Sequence, residues 1–339
     1  MLPSDSTNPA VQRMDQLARE FNLTFPFHLP ANSKDERNSS NLIWVVLFSM
    51  LFILSFLSNI SLILAVLSNS RKRTGVHLII CLLFLVNLVD YALLILEFST
   101  GVSSHFPWGE ESCAVYQYFL QSNPLYYSAL LVLLVYHASK PAGGLNTVWW
   151  NLVLLVILVL LVSLPTILYS DTAVYPSGAR FCVMDLGGVA GWAGLGVTQS
   201  VTALYYLIYR SVLPYFLPLC VLARPLYVLY QRINGPEDKN CTVSLSLAVV
   251  FSYFVFYSCY SAICFIRHSI DVSSFDVTTR TSWILAVLQS LFSLLATFQH
   301  VFRPLLCFVL DIDLRKDFVV RLSGRSKNVY QSVQQSSVV

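Results

Sequence analysis

Apolar residues gather into seven long runs, at 42–68, 76–96, 113–140, 147–169, 203–230, 244–266 and 282–310, separated by shorter polar stretches. About 20 apolar positions at a rise of about 1.5 Å each cross a bilayer, so every run predicts a membrane-spanning helix. The expected fold is an all-α membrane protein, a seven-transmembrane helix bundle over 42–310 behind a polar tail at 1–41. Past it, Leu314, Phe318 and Leu322 recur at i, i+4 and i+8, the stripe of a short amphipathic eighth helix at 311–323 lying on the bilayer surface. Residues 324–339 form a second polar tail. The third run differs from the others. Its first half carries Tyr116, Gln117, Gln121, Asn123 and Tyr126, and a helix facing only lipid would leave such groups unsatisfied at several kcal/mol each. It is therefore the central helix, with that half lining a cavity or other helices. The glycine-rich stretch at 186–196 is apolar, but its glycines argue against a further helix.

Composition agrees with this pattern. The chain is 56% hydrophobic and 12% charged, where soluble domains carry about 25% charged residues. The first 40 residues hold no apolar core of signal length, so the first span is expected to act as its own insertion signal. With the N-terminus outside, Arg71, Lys72, Arg73, Lys140, Arg232, Lys239, Arg315, Lys316, Arg321, Arg325 and Lys327 fall on the inner side, and Arg180, Arg267 and Arg280 on the outer. That asymmetry predicts a multi-pass plasma-membrane protein, N-terminus extracellular and C-terminus cytoplasmic. The sequons at Asn22 and Asn38 then lie on the outer tail as glycosylation candidates. Of eight cysteines, Cys113 and Cys182 alone fall at loops, on one side, and no pair has metal-ligand spacing. No nucleophile–base motif suggests an enzyme, and no cofactor or nucleic-acid partner is expected. Internal repeats of the transporter kind are absent from the sequence.

Trp108 in a loop before Cys113, with Cys182 in the following loop on that side, resembles the rhodopsin-like (class A) G-protein-coupled receptors, as a divergent, orphan-type member. Other positions add to the likeness: Asn59 in the first span, Asn87 in the second, Phe256-x-x-Cys259-Tyr260-x-Ala262 in the sixth, Pro304 in the seventh, and Leu314-Arg315-x-x-Phe318 after it. The resemblance spans roughly residues 42–322. It implies a Cys113–Cys182 disulfide tying a long loop to a helix end, an extracellular ligand, and a heterotrimeric G protein or arrestin inside. The chain departs from the family where the switch should be. His137-Ala138-Ser139 stands where the family has Asp-Arg-Tyr, and Arg303-Pro304-Leu-Leu-Cys307 where it has Asn-Pro-x-x-Tyr. Ala138 cannot make the G-protein contact of the family's Arg.

Asp90, His300 and Arg303 lie in spans, where ionisable groups are costly and face inward. With Asn87 at the family's sodium-binding Asp position, Arg303 is expected to take the ion's place and pair with Asp90; the alternative is that Arg303 snorkels to the inner surface. A ligand pocket is expected among Gln117, Leu120, Gln121, Tyr260, Gln289 and Ser293. Leu120 replaces the Asp that aminergic receptors carry, which disfavours an amine. Seven acids in the outer loops (Glu97, Glu110, Glu111, Asp171, Asp185, Asp271 and Asp276) favour a cationic peptide. Ser337-Val338-Val339 has the form that PDZ domains capture, through Ser337 and Val339. These features predict an atypical receptor, with a non-signalling scaffold, decoy or trafficking partner as the alternative and a transporter behind both.

Overall fold

The computed structural model describes residues 34–68, 74–103, 106, 109–139, 145–174, 180–184, 204–234, 241–273 and 279–311. Among the described residues, seven helices are long and apolar enough to cross a membrane. They are α1 (Lys34–Ser68), α2 (Gly75–Ser103), α3 (Gly109–Ser139), α4 (Leu145–Leu168), a fifth span described below, α6 (Cys241–Ser273) and α7 (Thr279–Leu310). Among the described residues the architecture is an α-helical bundle of membrane-spanning type. The strand pair β1 (Ser170–Val174) and β2 (Arg180–Met184) interrupts it as an antiparallel hairpin, with Thr172 opposite Cys182.

Several helices outrun their apolar cores. α1 begins at Lys34 and α6 continues to Ser273, because Lys, Asp, Glu and Arg are competent helix residues and the helix does not stop where hydrocarbon does. The expected tail at 1–41 is therefore helical from Lys34, Asn38 lies within α1, and Arg267 belongs to α6 rather than to a loop. The expected surface helix at 311–323 is described only at Asp311. Asn22, Trp108, the glycine-rich stretch, Ser337 and Val339 lie outside the described residues.

The fifth span opens with a π-helical segment, Ile208–Phe216, which passes into α5 (Leu217–Asn234). Two of its three prolines explain the wide turn. Pro214 has no N–H to give the carbonyl four residues back, and Pro218 has none to give Pro214. The Leu217 N–H reaches the Val212 carbonyl instead. The orphaned Pro214 carbonyl is taken up by the Tyr253 hydroxyl of α6, which donates to it at 2.6 Å. Prolines survive in spans when a neighbouring helix supplies such a donor.

α3 occupies the centre, packing against α2, α4, α5 and α6, and its Leu131, Leu134 and Val135 have no exposed surface. The lipid-facing sides carry the exposed apolar residues, with α4 presenting Trp150, Leu154, Leu161 and Leu168. Gly75 of α2 lies against α4, where a Cβ would stand 2.5 Å from Val148 Cγ2.

Candidate functional site: the polar core

The hairpin packs against the start of the central helix. Cys113 at the start of α3 forms a disulfide with Cys182 of β2, and Phe106 and Tyr116 pack around it. Gln117, one turn along α3, donates from Nε2 to the Cys182 carbonyl at 3.2 Å. The disulfide and this bond hold the hairpin to the end of α3.

Among the sequence-selected pocket residues, Gln117 and Gln121 are buried, while Leu120, Tyr260, Gln289 and Ser293 are half-buried. Gln117 Oε1 and both amide atoms of Gln121 lack a hydrogen-bond partner among protein groups. Gln289 accepts from Arg267 Nη1 at 2.6 Å, and the Ser293 carbonyl accepts from Thr297. Two further basic groups, Arg210 and His268, meet at this level. Arg210 lies over the Tyr206 ring, which stacks on His268 at 5.8 Å. The signal was a lone arginine inside an apolar run.

Deeper in, the second and seventh helices meet around Asn87, Asp90 and His300. Pro304 has no N–H for the His300 carbonyl, and α1 supplies the missing donors. Asn59 Nδ2 donates to that carbonyl at 3.1 Å and Ser55 Oγ at 3.3 Å, while Asn59 also donates to the Ser55 carbonyl at 2.7 Å. Asn87 Nδ2 donates to Asn59 Oδ1 at 3.3 Å, and Asn87 Oδ1 lies 2.8 Å from His300 Nδ1. Three helices are thereby joined through one chain of directional bonds. Asn123 extends it to α3 by donating to the Val86 carbonyl at 3.3 Å.

The expected Arg303–Asp90 ion pair is not formed. Asp90 Oδ2 lies 3.6 Å from His300 Nε2 instead. His300 stands about one helical turn before Arg303 on α7 and meets Asp90, while Arg303 points to α3 and α6. Nor does Arg303 snorkel, for it has no exposed surface. Its guanidinium carbon is 4.4 Å from the Tyr127 ring centre and 5.5 Å from that of Tyr253, and its Nη2 donates to Gln299. The sequence analysis did not foresee this aromatic support. Tyr127 and Tyr253 stack at 5.4 Å, Tyr253 and Tyr257 at 5.1 Å, and Tyr260 continues the column at 5.3 Å. Its signal was present: Tyr253, Tyr257 and Tyr260 recur at i, i+4 and i+7 on one helix face.

The switch positions are structurally occupied. His137 Nε2 lies 3.3 Å from Asn151 Nδ2 of α4, Ala138 is buried, and Ser139 Oγ donates to the Tyr136 carbonyl at 2.8 Å. Pro304 and Cys307 are buried, Cys307 as a free thiol. At this end His77 Nε2 stands 3.7 Å from Asp311 Oδ2, joining the start of α2 to the end of α7. Among the described residues no group of three His, Cys, Asp or Glu is placed to hold a metal.

No protein-family model and no curated protein matches the chain. Among the described residues the fold defines a class, a protein of seven membrane-spanning-capable helices with a hairpin disulfide-linked to the central one.

Proposed function

We propose that the chain is an atypical receptor of the rhodopsin-like kind, set in the plasma membrane with its disulfide end outside and the His137 end in the cytoplasm. The carrying observation is the Cys113–Cys182 bond, which fixes a strand hairpin to the central helix beside the buried amides of Gln117 and Gln121. A ligand entering there meets polar groups held by the bundle rather than by loops. The acids, of which Glu97, Glu110, Glu111 and Asp271 stand in helices rather than in the expected loops, favour a cationic peptide at the surface, and Arg210 and Arg267 favour a neutral or acidic portion inside. A PDZ-domain protein on the Ser337–Val339 tail would complete the partners.

Coupling is the weak part of this receptor. In a family member the arginine at position 138 would reach the G protein or arrestin; here Ala138 is buried and His137 is engaged with α4. Guanine-nucleotide exchange on a panel of G proteins tests the reading. Wild type is expected to give no exchange above control membranes, and Ala138→Arg to confer constitutive exchange on at least one G protein. Exchange from neither leaves the scaffold reading in possession, since His137 then serves only to bind α3 to α4.

A further inference from the structure

The direction of the asparagine chain is set by groups that can only accept. The carbonyls of Ser55 and His300 require Asn59 to face them with Nδ2, so its Oδ1 must accept from Asn87 Nδ2. Asn87 is left with Oδ1 toward His300 Nδ1, which therefore carries a hydrogen. His300 Nε2 is then a lone pair when the ring is neutral, and it faces Asp90 Oδ2 at 3.6 Å. With Asp90 ionised, two acceptors oppose each other inside the bundle.

We propose that Asp90 and His300 form a proton-binding site between α2 and α7. A proton delivered by water forms an O–H bond on Asp90 Oδ2, one O–H bond of hydronium breaks, and nothing is oxidised. The new hydroxyl donates to the His300 Nε2 lone pair and contracts the gap to hydrogen-bond length, about 2.6–2.8 Å. Asp90 keeps 27% of its side-chain surface accessible and His300 only 6%, so the carboxyl is the more accessible partner.

The surroundings favour the proton on the carboxyl. Around the pair are Asn87 and Tyr91 of α2, Asn123 of α3 and, at the His300 carbonyl, Ser55 of α1, with Arg303 and the Tyr127 and Tyr253 rings beside it about one turn further along α7. Among these described groups Arg303 bears the fixed charge. A second cation on the imidazole one turn away is disfavoured, and a neutral carboxyl–imidazole pair costs less in low dielectric than an ion pair. The arrangement stands whether or not the chain couples to a G protein.

Infrared difference spectroscopy on the full chain in lipid nanodiscs, acidified from about pH 8 to about pH 5, reads the site directly. A carboxylic C=O stretch is expected to appear on acidification and to be lost in Asp90→Asn. Its frequency and midpoint shift in His300→Leu and lie nearer wild type in His300→Gln, whose amide oxygen accepts the same bond. Should the Leu variant fail to fold, the Gln variant must still move the frequency. A band that survives Asp90→Asn, or one that neither His300 variant moves, overturns the site. So does a response that sodium abolishes at constant pH, which would put a metal cation in the gap.

Discussion

Two polar systems hang on α7 about one turn apart and are stabilised in opposite ways. At His300, every link from Ser55 through Asn59 and Asn87 is a directional hydrogen bond, and the chain begins at the carbonyl that Pro304 leaves without its N–H. At Arg303, a fully buried cation rests on two tyrosine rings, with Nε and Nη1 lacking a protein partner. Both avoid lipid by turning inward. The first depends on each member being present, because deleting one strands its neighbours. The second depends on an extended ring surface that tolerates small displacements.

That contrast fixes an order of sensitivities. Asn59→Ala should do most damage, leaving the His300 carbonyl only the longer bond from Ser55 Oγ and stranding Asn87 Nδ2, at about 1–3 kcal/mol for each group disturbed. Thermal unfolding in nanodiscs checks it, and a Tm within a degree or so of wild type would break the comparison. Opening the cap by changing both Cys113 and Cys182 to Ser should cost about 2–4 kcal/mol, read in the same assay or as loss under reductant. Tyr253→Phe is smaller, about 1 kcal/mol, since it strands only the Pro214 carbonyl while keeping the ring beneath Arg303. Arg303→Met is expected to change stability least, because a flexible apolar side chain of similar length replaces a buried charge without leaving one behind. If Arg303→Met proves costlier than Asn59→Ala, the ring-supported cation rather than the asparagine chain holds the bundle together.

Much of the fold was legible because hydrophobic length is a one-dimensional property. The seven runs became seven helices, and the run singled out for Gln117, Gln121 and Asn123 became the central one. The disulfide implied by the family likeness joins the same two cysteines. The Asp90–Arg303 pairing failed because helical spacing within α2 and α7 says nothing of how the two are rotated and shifted against each other. A displacement of one turn puts His300 rather than Arg303 at Asp90. Helix ends were misjudged at Lys34 and Ser273, since an apolar window records hydrocarbon thickness and not where hydrogen bonding stops.

The sequence alone determined how many segments are long and apolar enough to span the bilayer, which helix carries their polar face, and where prolines strip a carbonyl of its donor. Each follows from residue type and local spacing. Only the tertiary structure decided who answers those carbonyls, Asn59 for His300 and Tyr253 for Pro214, and which way the buried cation turned. Partners on other helices are chosen by the relative rotation and depth of whole helices, and those are properties of the assembled bundle.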